Sequence, residues 1–397
     1  DYLERRARAV IDDVTASTYM KREEFTAPIQ YIPIKNGVLD ISQNPVKLLK
    51  HDKKYYFTKQ LPVAYHPEAE CPKFLKFLSE ILPDETHRLQ VQEMFGWSLW
   101  RDYSHQIAFI LIGEGSNGRS TLLNVLRSLL GDRNVAALSL QCLCKNRFAV
   151  AELYQKFADI APDIPRDKIE DSSAFKNLTG GDLLTAEKKF RNPFRFVNYA
   201  KLIFSANKLP YSKDKTYAYY RRWMLILFNI RFGDGGQPVD KRMLEKITTP
   251  EELSGILNWA LEGLKRLNEQ GDFTGRMSVA ETEKYYERLV SPVYMFLSDC
   301  IAETKDPQEY IPKDYLWDEV LRYCQDNNLP KPKSKKQIAS SIKRNFKGIE
   351  TAQRTIDGKL TWVWLYCRFT DDAENVKLKA LLDSETPKST LEKAFNT

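Results

Sequence analysis

The chain has 397 residues, room for two to four domains at the usual ~100–200 residues each. With 43% hydrophobic and 28% charged residues, and only 17 Gly and 19 Pro, its composition excludes disordered, collagenous and small disulfide-stapled classes. Sixty Lys plus Arg against 53 Asp plus Glu leave +7, which permits a polyanionic partner without requiring one.

Residues 1–100 mix short strands with helices and are expected to form a mostly helical N-terminal domain. YIPIKNGVLDI reads as strand, Asn-Gly turn and strand, and CPKFLKFLSEIL and THRLQVQEMFGWSLW read as amphipathic helices. Over 101–232 an α/β core is expected, opening with HQIAFILIGEGSNGRSTLLNVLRSLLG. That stretch runs from a buried strand (Gln106 to Ile112) through a Gly-rich loop into a helix that stops at Gly131. Short apolar strands near 156–160, 194–197, 201–205 and 223–228 extend the sheet. GDGGQP at 233–238 reads as a linker, and EELSGILNWALEGLKRLNE as the helix of a small lid within 233–290. Over 291–370, three helical segments precede two strands joined by an Asp-Gly turn, the order of a winged helix. Residues 371–397 read as a mixed-charge tail.

The six cysteines (Cys71, Cys142, Cys144, Cys300, Cys324, Cys367) are scattered, so reduced thiols are expected rather than a zinc site or disulfides. The four histidines, His51, His66, His87 and His105, form no cluster. No apolar run approaches the ~18–20 residues that span a bilayer, and DYLERRARAV lacks a signal-peptide core, so an intracellular protein without membrane contact is expected. The first residue is not Met, so a longer parent chain is expected.

Gly113, Glu114, Gly115, Ser116, Asn117, Gly118, Arg119, Ser120 and Thr121 follow the phosphate-loop pattern G-x-x-x-x-G-K-[ST], except that Arg119 stands where lysine belongs. The physical context survives: small residues let backbone N–H groups face phosphate oxygens, and the positive end of a helix points at them. Ser120 would supply the Mg²⁺ hydroxyl. Arginine is larger, planar and always charged, so nucleotide binding is expected to survive this exchange better than turnover. Mg²⁺ also needs a carboxylate, and FADIAPDIP offers Asp163, at the expected strand end, or Asp159. KLIFSANKLP ends a strand at Asn207, a residue type able to orient an attacking water.

Together, GEGSNGRSTLLN, FADIAPDIP, FKNLTGGDLLTAEKKFRNPFRFVNYAKLIFSANKLP and YYRRWMLILF resemble the superfamily 3 helicases of the phage and plasmid primase type, related to the poxvirus primase-helicase. The upstream stretches NGVLDI, YYFTKQLPVAYHPEAECPKFLKFL and FGWSLW are similar to the domain preceding the ATPase in those proteins, so the resemblance spans about residues 25 to 232. It implies an AAA+ core that binds ATP and Mg²⁺ and assembles as a homo-oligomeric ring, usually hexameric. Such a ring translocates on single-stranded DNA and unwinds forked DNA, and a primase domain belongs to the same longer chain in such systems. By the same resemblance, Asp163 is the metal-binding acid with Asp159 as the alternative, and Asn207 is the polar residue of the third motif. Arg221 or Arg222, with a slight preference for Arg222, is the arginine finger acting on the neighbouring subunit's γ-phosphate.

Between the acidic strand and Asn207, the family's channel hairpin matches the stretch holding Lys188, Lys189, Phe190 and Arg191. The lysines would grip phosphates, Phe190 would stack on a base and Arg191 would add charge. PKPKSKKQIASSIKRNFK gathers Lys331, Lys333, Lys335, Lys336, Lys343, Arg344 and Lys347 with no acid. As third helix of a winged helix, capped by Ser334, it is expected in a major groove, with Lys359 on the wing near the DNA backbone. Trp362 and Trp364 alternate on the wing strand and read as core and rim packing. Two functions are therefore carried forward: a ring-forming ATP-dependent DNA helicase, and a nucleotide-binding, DNA-binding initiator or switch with weak hydrolysis because of Arg119. A small-molecule phosphate-loop kinase leaves the basic helix and the arginine pair without a role.

Overall fold

Five consecutive apolar residues, Ala108 to Ile112, leave no polar position to face water, and the chain buries all of them in an interior strand of a parallel sheet. The computed structural model describes residues 2–20, 28–43, 45–113, 115–165, 167–233, 239–326 and 331–370. Glu114, most of the 233–238 linker and the 371–397 tail lie outside the described residues. The chain divides into two units, Asp1–Thr282 and Glu283–Thr397.

In the first unit, α1 (Tyr2–Ser17) buries none of its residues. Strands β1 (Tyr31–Ile34), β2 (Gly37–Asp40) and β3 (Lys47–Leu49) form a small antiparallel sheet. Its first turn falls on Lys35 and Asn36 rather than on the Asn-Gly pair, since Gly37 already pairs with Ile34. A Cβ at Gly37 would lie 2.4 Å from the Leu49 carbonyl oxygen. Helix α2 (Pro72–Ile81) begins on a proline, whose missing N–H is harmless at a first turn, and buries Phe74, Phe77, Leu78 and Ile81 along one face. Helix α3 (Glu85–Leu99) is capped by Asp84, which accepts from His87 N at 3.2 Å. From Gln90 onward every residue of α3 is buried, so it is not the one-sided helix its periodicity suggests.

The main sheet begins with β4 (Ala108–Ile112), followed by α4 (Arg119–Leu130), β5 (Val135–Ala136), α5 (Leu140–Lys145), β6 (Ala158–Ala161) and α6 (Ser173–Gly180). Strands β7 (Leu183–Ala186) and β8 (Phe194–Val197) then form a separate antiparallel hairpin. Strand β9 (Lys201–Ala206), α7 (Tyr217–Tyr220) and β10 (Trp223–Leu227) complete a sheet ordered β10-β4-β9-β6-β5, parallel throughout. Phe194 to Val197 thus leaves the sheet in which the apolar pattern places it. Arg195 and Val197 face solvent there, which a strand covered on both faces does not allow.

Helices α8 (Met243–Ile247), α9 (Pro250–Gln270) and α10 (Val279–Val290) follow, the division between units falling within α10. The lid expected in this stretch is a buttress instead, because α9 packs lengthwise on α3. Two glycines allow the approach: a Cβ on Gly96 would lie 2.3 Å from Ala260 O, and one on Gly263 2.4 Å from Gln92 O. The fully buried Glu93 accepts from Arg266 Nε at 2.7 Å and from Thr274 N at 2.8 Å, and Arg266 also reaches Gln92 Oε1. That pairing answers the cost of an isolated buried carboxylate.

Two further charges are buried in this unit. Lys201 Nζ donates to the carbonyls of Trp100, Asp102 and Tyr199 at 2.5–2.7 Å and lies 4.7 Å from the Trp97 ring centre. Burial pushes its pKa down to about 7, while three acceptors match the three N–H groups of an ammonium. Asp159 accepts from Leu138 N at 2.7 Å on Oδ1, and its Oδ2 has no partner, so burial pushes its pKa up to about 7.

The second unit holds α11 (Pro292–Cys300), β11 (Ile301–Glu303), β12 (Tyr310–Pro312), α12 (Lys313–Asp326), α13 (Lys335–Asn345), β13 (Glu350–Ile356), β14 (Lys359–Leu365) and β15 (Cys367–Phe369). Strands β12, β14 and β13 form an antiparallel sheet with β14 in the middle, and β11 pairs with β15. Leu297, Val320, Ile342 and Trp364 share its core. Asp357 and Gly358 both take positive φ, 50° and 75°, in the two-residue turn between β13 and β14. Ser334 holds the cap position of α13 without a side-chain bond, and Gln337 Oε1 accepts from Lys333 N instead. All six cysteines are free thiols, and among the described residues no helix is long and apolar enough to cross a membrane.

Two predictions follow from this packing. Alanine in place of a helical glycine ordinarily stabilises by about 1 kcal/mol, but Gly96→Ala and Gly263→Ala should each lower the unfolding free energy by about 1–3 kcal/mol in denaturant titrations. For Asp159, the folded pKa lies above the unfolded one, so its contribution to stability is complete below about pH 4 and is lost as pH rises through about 7. The melting temperature of Asp159→Asn relative to the parent chain should therefore rise across that window.

Candidate nucleotide site and nucleic-acid surfaces

Because the sheet is parallel, whatever follows a strand gathers at one end. The loop after β4 reaches that end, and α4 starts there at Arg119. Gly113 has no room for a side chain: a Cβ would meet Phe228 O at 2.3 Å and Asn117 Nδ2 at 2.4 Å. Ser116 and Gly118 take φ of 59° and 83°, and a Cβ on Gly118 would press on Ile81 of α2. Phe232 N donates to Ser116 O at 2.8 Å, so the chain beyond β10 holds the loop from outside. Asn117, 4% exposed, donates to Phe228 O and accepts from Arg119 Nε at 3.0 Å.

Arg119 does not project into the space above the loop. It is 6% exposed, and its guanidinium donates to Asn117 Oδ1, Leu111 O at 3.1 Å, Ala206 O and Asn207 Oδ1 at 2.6 Å. The charge is thus clamped across the carboxyl ends of β4 and β9. Burial pulls its pKa below the usual guanidinium value and the Asp163 carboxylate pushes the other way, but an arginine stays charged. Ser120, Asp163 and Asn207 are exposed around it. Since β9 lies between β4 and β6, Asn207 sits between the loop and Asp163. Hard oxygen donors from Ser120 and Asp163 suit Mg²⁺, which keeps waters and phosphate oxygens as further ligands. Asp159 is different: it lies within β6, fully buried and turned to Leu138 N, closed to a metal arriving from solvent. Among the described residues no group of three or more His, Cys, Asp or Glu could hold a metal on its own.

Arg221 and Arg222 immediately precede β10, so they lie at the amino ends of the strands, about 16 Å of strand away from the loop after β4. Neither can serve the loop of its own chain. Arg222 is 7% exposed and donates to Thr179 Oγ1 at 2.8 Å and to Ala218 O, which commits it to its own fold. Arg221 is half-buried and donates to Gln106 Oε1 at 2.6 Å. Of the two, Arg221 is therefore the more accessible.

The β7–β8 hairpin presents Lys188, Lys189, Phe190 and Arg191 at its tip, all exposed. Phe190 is fully exposed and adopts φ 60°, in a turn closed by Arg191 N donating to Lys188 O at 3.1 Å. A phenylalanine in both states contributes nothing to a core. Arg147 pairs with Glu187 at 3.4 Å where the hairpin turns, so the one acid there is already engaged.

On the second unit, all of Lys335, Lys336, Lys343, Arg344, Lys347 and Lys359 are exposed. Lys335 pairs with Asp314 at 2.5 Å and Arg344 lies 3.9 Å from Glu287, whereas Lys336, Lys343 and Lys347 make no ion pair among the described residues. Trp364 is 4% exposed and Trp362 53%, with Lys313 Nζ 4.4 Å and 4.9 Å from their ring centres, so the two rings are core and rim as expected. Sequence reasoning missed Asn117 as a clamp and Gln106 and Thr179 as arginine partners. Asn117 lay inside the motif, but nothing in the sequence marks the other two.

Residues 4–83 match the family described as D5 N terminal like, and residues 111–222 match a family of unknown function, DUF5906. The chain is 29% identical to "Putative helicase L207/L206" of Acanthamoeba polyphaga mimivirus over 39% of its length and 17% of the relative. It is 21% identical to "Putative primase C962R" of African swine fever virus over 53% of its length and 23% of that protein. With "Putative helicase 121R" of Invertebrate iridescent virus 3, identity is 24% over 72% of this chain and 34% of the relative. The chain thus spans roughly a sixth to a third of the length of these proteins. The solved C terminal region of NrS-1 aligns with 77% of this chain and 78% of its own at 13% identity and a TM-score of 0.40. Through its D5 N terminal like segment and these relatives, the chain is similar to putative primases and helicases of large DNA viruses.

Proposed function

We propose that the chain is the ATP-driven motor segment of a replicative DNA helicase that works as a homo-oligomeric, hexameric ring on single-stranded and forked DNA. The observation that carries this is the partition of the motif residues by the parallel sheet. The phosphate loop, Asn207 and Asp163 meet at one end, and Arg221 waits at the other, where only a second copy could use it. The first unit is then an AAA+ core behind its N-terminal segment, and the second is a winged helix with α13 as the groove-reading element. A primase domain in the same longer chain and an intracellular site of action complete the proposal.

In this mechanism the loop amides and the N-terminus of α4 hold the phosphates of ATP, Ser120 and Asp163 hold Mg²⁺, and Asn207 orients water. The bound metal would neutralise charge on the terminal phosphates. Arg221 of a neighbouring copy would stabilise charge on the transferred group. Hairpin lysines would grip the DNA backbone while Phe190 stacks on bases.

One observation favours a second function, a nucleotide-dependent initiator or switch. Arg119 is committed to four protein acceptors, so a phosphate must compete for its guanidinium, and slow hydrolysis with intact binding would follow.

The test is ATP turnover with and without single-stranded DNA for the chain and for Arg119→Lys, with oligomeric state measured in the same samples. The motor function requires DNA-stimulated turnover in at least the lysine form, and inactivity of both forms while assembled on DNA would favour the switch. Arg221→Ala should retain the parent melting temperature and ATP binding but lose roughly 10³–10⁵ in turnover. Arg222→Ala should lower the melting temperature first, since it removes a largely buried side chain together with its bonds to Thr179 Oγ1 and Ala218 O.

A further inference from the structure

A second electropositive site lies away from both the phosphate loop and the α13 face. The segment between β3 and α2 crosses the amino ends of β5 and β6 and leaves a cleft of about 760 Å³. Lys53, Lys59 and Arg133 line it, beside the aromatic residues Tyr56 and Phe57. Asp52 is the one acid among its lining residues, and its carboxylate already pairs with Lys54 at 3.0 Å and accepts from Lys54 N. The adjoining Asp132 is likewise taken, by Arg127 at 2.6 Å. Lys156, just ahead of β6, donates to Arg133 O at 2.6 Å, which brings a further cation to the rim.

Like charges gathered without acids destabilise a fold, and here they bear on each other. The half-buried Lys59 has its pKa pulled down by burial and by the charges of Lys156 and Arg133. Tyr56 is 46% exposed and held at φ 44°, an uncommon backbone for a large side chain, which turns its ring to the cleft edge. Cations spaced along a groove with an exposed aromatic between them are the pattern that binds a single strand without regard to sequence.

A chain of contacts also links the cleft wall to the hairpin. Thr58 Oγ1 donates to Gln155 Oε1 at 3.3 Å, and the neighbouring Tyr154 ring stacks edge-on against Phe194 and Phe196 of β8 at 5.1 and 5.5 Å. We infer that this cleft binds the sugar-phosphate backbone of single-stranded nucleic acid, with Tyr56 as a stacking platform, on a path that runs on to the β7–β8 hairpin. The site is independent of hydrolysis and of the second unit.

Anisotropy titrations of labelled (dT)20 and (U)20 against the full chain, without nucleotide and across 50–200 mM salt, separate the two sources of such a backbone. Lys53→Gln/Lys59→Gln/Arg133→Gln should weaken binding of at least one oligonucleotide about tenfold or more, and should lower the log–log salt slope by about 2, at ~0.7 per lost phosphate contact. Its melting temperature should not fall, because the replaced cations repel one another. Tyr56→Leu should weaken binding about fivefold or more with the slope unchanged. Lys188→Gln/Lys189→Gln should add its own loss to that of the triple variant. Unchanged affinity and slope in the triple variant would overturn the cleft even if the hairpin variant loses binding. So would a loss of affinity that tracks a fallen melting temperature, or a parent chain that binds neither oligonucleotide.

Discussion

Five strands running in one direction sort this chain's chemistry into two ends. Residues that follow a strand (the loop after β4, Asp163 after β6, Asn207 after β9) arrive together although they are spread over nearly a hundred positions of sequence. Residues that precede or open a strand (Arg133, Lys156, Lys201, Arg221) arrive at the opposite end. No single side chain could be moved from one set to the other without reversing a strand. Coupling between the two ends must therefore pass through the sheet or through a second copy.

Arg119 stands in the loop after β4 where the phosphate-loop pattern has lysine. A buried guanidinium must find acceptors for its N–H groups, and carbonyls near the carboxyl ends of β4 and β9 supply them. Leu111 O and Ala206 O fill that need, and Asn117 and Asn207 complete it. The arginine therefore ties the loop to Asn207 directly. A lysine, with a single compact head, could not reach the same four atoms.

Much of this was legible in the sequence because it rests on local pattern. The apolar run of β4, the glycines of the loop, the strand ending at Asn207 and the Asp-Gly turn of the second unit each announce themselves within a few residues. What was not legible depends on contacts between distant segments. The α9 helix reads as an ordinary amphipathic helix, and only the close approach of Gly96 on α3, more than 160 positions away, and of its own Gly263 reveals that it is packed along another helix. Strand β8 has an apolar pattern suited to either the sheet or a hairpin, and the choice is made by β7. For Arg222 the motif is silent about Thr179, whose hydroxyl fixes it in place. The basic cleft joins residues 51–60 to Arg133, so no window of sequence contains it.

The close contact of α3 with α9 also decides where the chain can be cut. One helix precedes the parallel sheet and the other follows it, and both are buried against each other through Gly96, Gly263 and the Glu93–Arg266 pair. A boundary drawn at residue 101 or 232, where the motifs begin and end, would strip one of these helices away and leave Glu93 or Arg266 without its counter-charge. A piece of the first unit that keeps this pairing must therefore reach at least from α3 through Thr274, and a shorter fragment bearing the loop after β4, Asp163 and Asn207 would still lack the framework that holds them.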